Sequence, residues 1–356
     1  MRKIYTLTFH RVLNYGAVLQ AYALIRYLEE EGLEARNLNY LPWYFLWQVY
    51  RPAKSLRRTI QKLKKICYFS QFCKEHLKIT SASFFTSKSF ERINDASVFI
   101  CGSDQIWNKN LTRKNLDDGF FLKHIKNKHK KISYAASAGS ARLIDSKDEV
   151  RPLLESFDAI GVREDILADD IKKISSKLDP TVVVDPCLLI KDYSAVEICT
   201  RVPNYNYIVS YVVGSGESLE SFDNYILKLK EMMGLPVVHI GAKPIASADR
   251  SFFDLAPGEW VAFIKKARFV ATNSFHGTAF SINFEKQFLF FPNCIDNLNS
   301  RQETLLRNLG LMDRYVRSID GLNYKCLEEL EYSVVSQRLK SLVDQSKKFL
   351  LKSINI

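Results

Sequence analysis

The segment Thr272-Asn273-Ser274-Phe275-His276-Gly277 sets one imidazole among small and polar residues directly after the apolar run 268–272. A helix opening at about residue 275 would point backbone N–H groups at an anion there, and an imidazole titrating near neutrality suits a general acid. His276 is the first catalytic candidate, with Ser274 beside it for ligand binding. Five further segments put polar or small residues where an apolar run ends: Asn14-Tyr15-Gly16, Gly102-Ser103-Asp104-Gln105, Ser137-Ala138-Gly139-Ser140, Arg163-Glu164-Asp165 and Asp185-Pro186. Asp104 and Asp185 have the chemistry to orient or deprotonate a hydroxyl, and equally that of a helix cap. Asn14 and Gly16 read either as a tight turn into a helix or as ligand contacts. Ser137 lies in a small-residue loop that a phosphate can approach closely, and Ser103 is a further substrate-binding candidate.

The elements that must position these segments follow from apolar periodicity. Residues 4–9 read as a strand, 17–31 as a helix whose Ala17, Ala21, Leu24 and Leu28 share a face, and 34–40 as a second strand. Further strands are expected at 98–101, 132–136, 159–162 and 181–184. After Pro203 the alternation restarts: strand 207–213, helix 217–233, strand 236–241, helix 257–267, strand 268–272, a helix from about 275, strand 287–291 and helix 300–309. This pattern predicts an α/β fold of two Rossmann-like, doubly wound domains facing across a cleft, with ligands at the carboxyl ends of the strands. Domains are expected at 1–195 and 196–330, with a C-terminal helix over 331–356 that packs back on the first domain.

The chain has 356 residues, 47% hydrophobic and 25% charged, a composition of folded proteins long enough for two cores. Seven cysteines without a CxxC pair argue against a disulfide framework or a zinc knuckle. Six histidines without HxH or HExxH spacing argue against a metal site; of these, His10 follows the first strand and could reach a cleft. No apolar run approaches the length of a membrane span and the N-terminus lacks a signal pattern, so a cytoplasmic protein is expected.

The net charge of +12 is unevenly spread: residues 35–74 contain nine basic side chains and no acidic one. Within this stretch Leu56, Ile60, Leu63 and Cys67 form one apolar stripe, with Arg58, Lys62 and Lys65 opposite. Residues 43–66 therefore read either as a peripheral contact with the inner face of a membrane or as a helix packed by its stripe on its own domain.

Taken in order, Asn14 to Tyr22, Gly102 to Asn108, Ser133 to Ser137, Val162 to Asp165, Asp185-Pro186 and Thr272 to Gly277 resemble the polysaccharide pyruvyl transferase family. The resemblance implies two Rossmann-like domains similar to those of GT-B glycosyltransferases. It also implies transfer of pyruvate from phosphoenolpyruvate to a sugar acceptor, free or lipid-linked, with phosphoenolpyruvate as co-substrate and no other cofactor. It places the family's histidine at His276 and one donor-binding arginine at Arg163. Many members carry a second arginine two residues before the histidine, where this chain has Ser274. A hydroxyl cannot supply a guanidinium's charge and fork, so Lys243, Arg301 or Arg250 would have to replace it.

Two other classes fit less well. A glycosyltransferase of the same architecture would take a nucleotide sugar instead. A polyanion-binding protein would explain the charge, but there is no RNA-binding signature and nucleic acid is not an expected partner. The first βα turn lacks GxGxxG, which disfavours a dehydrogenase.

Overall fold

A computed structural model of the chain describes residues 3–112, 115–214, 217–293 and 298–355. Its first elements are β1 (Lys3–Leu7), α1 (Tyr15–Glu30), β2 (Glu34–Tyr40), α2 (Trp43–Tyr50), α3 (Leu56–His76) and β3 (Ile79–Phe84). They are followed by β4 (Val98–Cys101), β5 (Lys130–Ala136), α4 (Lys147–Leu154), β6 (Ala159–Val162), α5 (Asp165–Ile174) and β7 (Thr181–Val182). Next come β8 (Ile208–Tyr211), α6 (Glu217–Met233), β9 (Val237–Ile240), β10 (Arg250–Phe252), α7 (Pro257–Lys266) and β11 (Phe269–Thr272). The last are α8 (Phe275–Asn283), β12 (Gln287–Phe290), α9 (Ser300–Leu309) and α10 (Tyr332–Asn355).

The chain divides into two compact units. Met1–Pro52, Phe69–Ile190 and Lys340–Ile356 form the first, and Ala53–Tyr68 with Lys191–Leu339 form the second. The sequence pattern alone predicts one boundary after 195 and a separate segment 331–356. The contact division falls after Ile190, gives 53–68 to the second unit and divides α10 between the two.

The first unit holds a seven-stranded sheet in the order β3-β2-β1-β4-β5-β6-β7, and every neighbouring pair is parallel. β4 is Val-Phe-Ile-Cys with all four residues buried, as expected of a central parallel strand covered on both faces. Because all strands run the same way, their carboxyl ends share one edge, and the order reverses between β1 and β4. The second unit repeats the plan with five parallel strands, β10-β9-β8-β11-β12, reversing between β8 and β11. The α/β reading with Rossmann-like sheets is therefore correct.

The core of the first unit is aromatic. Trp107 stacks on Phe121 at 5.2 Å and 7°, and its indole N–H donates to the Phe120 carbonyl at 2.9 Å. The C-terminal half of α10 closes this unit: Leu350 and Ile354 are buried, and the Val184 N–H donates to Ser346 Oγ at 3.0 Å.

Six cysteines are free thiols, of which Cys73, Cys101 and Cys187 are buried and Cys67 and Cys199 exposed. Cys294 lies outside the described residues. Among the described residues no cluster of His, Cys, Asp or Glu could hold a metal, and no helix is long and apolar enough to cross a membrane.

Candidate functional site

Each unit collects polar side chains where its strand order reverses, the place where open α/β sheets bind ligands.

In the first unit, the loop after β1 carries Thr8 and His10 and leads to Asn14, whose Oδ1 caps α1 by accepting from the Ala17 N–H at 3.4 Å. Gly16 lies buried in the first turn of α1. The Thr8 hydroxyl donates to the Ser103 carbonyl at 2.9 Å and accepts from Gln20 Nε2 at 2.8 Å, which ties the loop after β1 to the loop after β4. His10 is buried, with Nδ1 3.3 Å from the Thr8 carbonyl and Nε2 3.2 Å from Asn39 Oδ1. Burial pushes its pKa down to about 4, so it is a neutral packing histidine at ordinary pH.

The loops after β4, β6 and β7 meet in one charged cluster. Arg163 Nη1 donates to Asp185 Oδ2 at 2.6 Å, and Nη2 lies 3.7 Å from Asp104 Oδ1. The Ser103 hydroxyl donates to the same Asp185 oxygen at 2.8 Å, and the other oxygen accepts from the Cys187 N–H at 3.0 Å. Asp185 thus acts as both ion-pair partner and cap. Burial works against the charge of Arg163, but Asp185, Asp104 and Glu164 more than offset it, so its pKa lies above the ordinary arginine value. Asp104 adopts the left-handed backbone region, φ 69°, which Asp tolerates better than most residues. Its Oδ1 accepts from the Gln105 N–H at 2.8 Å.

Glu164 accepts from the Ser137 hydroxyl at 2.9 Å and from the Ala138 N–H at 3.1 Å. It fixes the Ser137 loop. Its sequence signal is its place two residues beyond the apolar strand β6.

In the second unit the loops are stitched by amides. Asn273 accepts from the Val213 N–H at 2.8 Å and donates to the Val213 carbonyl at 2.9 Å, joining the loop after β11 to the loop after β8. Asn273 also donates to Asn293 Oδ1 at 3.0 Å, and Gln302 Nε2 donates to the Asn273 carbonyl at 3.5 Å. This brings in the loop after β12 and the start of α9. None of these amides was singled out from sequence, because Asn in a loop has too many ordinary uses.

Ser274 is the N-cap of α8, its hydroxyl oxygen accepting from the Gly277 N–H at 3.4 Å. His276 is the second helical residue and is buried, its ring 5.3 Å from that of Phe275 at 84°. Gly277 is required by the approach of helix to strand: a Cβ there would sit 2.3 Å from Thr272 Oγ1.

The three replacement cations fall in different places. Arg250 opens the edge strand β10, at the opposite end of the sheet from α8, and is exposed. Lys243 is exposed just beyond β9, and its carbonyl takes the hydrogen bond of His239 Nε2 at 2.9 Å. Arg301, in the first turn of α9, is buried with its guanidinium 5.9 Å from the centre of the Phe275 ring. Of the three, the structure brings Arg301 alongside the residue that precedes His276.

The fold has known counterparts. MnaA of S. aureus, in a co-structure with UDP, superposes with a TM-score of 0.54 at 14% identity, covering 95% of this chain and 91% of that one. A UDP-GlcNAc 2-epimerase of Neisseria meningitidis bound to UDP-GlcNAc gives 0.52 at 9% identity, covering 99% of this chain and 100% of that one. A putative UDP-N-acetylglucosamine 2-epimerase of Listeria monocytogenes gives 0.53 at 11%, covering 95% and 90%. No curated protein matches the chain in sequence. The family model of the polysaccharide pyruvyl transferases matches residues 14–294, a span that runs from the Asn14 cap past His276. The chain belongs to the polysaccharide pyruvyl transferase family.

Proposed function

We propose that this transferase moves pyruvate from phosphoenolpyruvate to two hydroxyls of a sugar, in a polysaccharide or its lipid-linked precursor, forming a ketal and releasing phosphate. The observation that carries the reading, in a member of this family, is a buried histidine in the first turn of α8 at the sheet's reversal point, with a buried arginine beside its neighbour. Phosphoenolpyruvate brings a carboxylate and a phosphate. Its site needs fixed cations and oriented N–H groups, which Arg301 and the opening turns of α8 and α9 would supply.

The chemistry needs one acid and two deprotonations. Protonation of the donor methylene by His276 makes C2 an oxocarbenium-like centre, and a sugar hydroxyl adds to it, its proton returning to the His276 imidazole left neutral by that step. Phosphate then leaves with the electron pair of its bond to C2, and the second hydroxyl closes the ketal as its proton passes to the departing phosphate. In the first unit, Asp104 is assigned to orient the acceptor. Asp185 is assigned to hold Arg163, a candidate anion contact of that unit, and Ser103, Ser137, Asn14 and Gly16 to shape that unit's own strand-end loops. Lys243 is assigned a peripheral contact.

Incubation with phosphoenolpyruvate and a panel of glycosides, lipid-linked ones included, tests this. Phosphate release should accompany a pyruvate-sized mass gain on the sugar. Label transfer from a nucleotide sugar instead, with no such gain, would replace the reading with glycosyl transfer.

A further inference from the structure

A helix that packs by its apolar stripe hides the stripe and shows its charges. The N-terminal half of α3 does the reverse. Leu56 is 78%, Ile60 48% and Leu63 54% exposed, and Cys67 on the same line is exposed too. The part-buried residues are Thr59, Gln61, Lys62, Lys65 and Ile66, and the charge of Asp254 acts on Lys65. Packing through the stripe is therefore overturned: four of the five part-buried side chains are polar or cationic, and three large aliphatic groups face solvent.

The charges beside this stripe decide its partner. At 100° per residue, Arg57 and Lys64 lie along one flank of the Leu56-Ile60-Leu63 line, and both are exposed. Between residues 35 and 74 no acidic side chain exists to answer them. A second copy docked through the same stripe would set cations against cations. An anionic lipid surface would instead take the aliphatic groups among its acyl chains and the cations among its headgroups. α2 carries an outward stripe of its own, Trp43, Trp47 and Tyr50, the residue types that favour a membrane–water boundary. Its inner side is anchored by Phe45, whose ring lies 4.9 Å from that of Phe9.

We propose that the exposed stripe of α3, with Arg57 and Lys64 at its flank, is a docking surface for an anionic lipid bilayer, which the protein meets peripherally. This does not depend on the donor or the reaction.

Co-sedimentation of the full chain with vesicles tests it, using phosphatidylcholine alone and phosphatidylcholine with phosphatidylglycerol in equal parts. The protein should partition onto the mixed vesicles, release with added salt and ignore the neutral ones. Arg57→Gln with Lys64→Gln should weaken partitioning by roughly 25-fold, at about fivefold per basic residue near the surface. Leu56→Ser with Ile60→Ser and Leu63→Ser should abolish it, with thermal unfolding unchanged because these are surface positions. The proposal fails if wild type does not bind the mixed vesicles, or if it binds as well after the serine substitutions. It also fails if those substitutions dissociate a dimer without affecting lipid binding, which would assign the stripe to a second copy.

Discussion

Arg163 Nη1 and Asp185 Oδ2 are 2.6 Å apart with both side chains essentially inaccessible to water. An isolated charge in that position would be far more costly than the pair. Asp185→Ala, or Arg163→Ala, should therefore lower unfolding free energy by about 3–5 kcal/mol in urea titrations. Arg163→Met combined with Asp185→Leu should recover most of it. Single variants within experimental error of wild type would mean that the ion pair is not what holds these loops.

His276→Gln keeps a hydrogen-bonding side chain and removes the titratable nitrogen. Turnover is expected to fall by about 10²–10⁴ while donor affinity changes much less. The split is read from single-turnover rates beside equilibrium binding of phosphoenolpyruvate. Equal losses in the two would assign His276 to binding alone.

Arg301 should account for much of the donor's affinity. Arg301→Gln is expected to weaken phosphoenolpyruvate binding by roughly ten- to a hundredfold, the worth of a charge-assisted hydrogen bond, and Arg301→Lys to restore only part because it lacks the planar fork. Lys243→Gln is the contrast and should shift binding little. An unchanged dissociation constant in Arg301→Gln would sink the assignment.

His10 gives a pH dependence of known sign. Its folded pKa of about 4 lies below the ordinary histidine value of 6.5, so between these limits the unfolded chain binds the extra proton. Its neutral form stabilises the fold fully above the window, and that contribution is lost as pH falls through it, by up to about 3 kcal/mol at the acid end. Comparing urea unfolding of wild type and His10→Gln at neutral pH and near the bottom of the window tests this. The variant should lose less stability on acidification.

Gly277→Ala places a methyl carbon where Thr272 Oγ1 would be 2.3 Å away. Either α8 or the end of β11 has to move, so a loss of about 1–3 kcal/mol is expected from overpacking, together with a fall in turnover as His276 shifts with its helix. A fully stable and active variant would show that this approach is looser than the structure has it.

What could be read from sequence tracks how strongly burial constrains each element. β4 and β6 are unbroken apolar runs, and both, with β2, are expected from sequence at the bounds the structure shows. β3 and β10 were missed: at the edges of their sheets, polar Ile-Thr-Ser-Ala-Ser-Phe and the short Arg-Ser-Phe need show no apolar period. α4 was hidden by Pro152 inside it. Among the site candidates, His276 and Asp185 can be picked out from sequence because a polar residue after an apolar strand stands out. The engagement of Arg163 by two aspartates was not, since it joins loops 59 and 22 residues away, and neither was the cap role of Ser274, which a serine shares with many other loop uses.

The division of the chain also bears on how the protein is made. The first unit takes its last piece from residue 340 onward, after every segment of the second has been synthesised. Until that stretch emerges, the groove that receives Leu350 and Ile354 is open and the Val184 N–H lacks Ser346. The unit that begins first is thus completed last, and a nascent chain stalled before 340 exposes an unfinished apolar core beside a second unit that already has all its parts. A cut at the 190/191 junction would leave the same vacancy, so the two units are not separable by a single cut there.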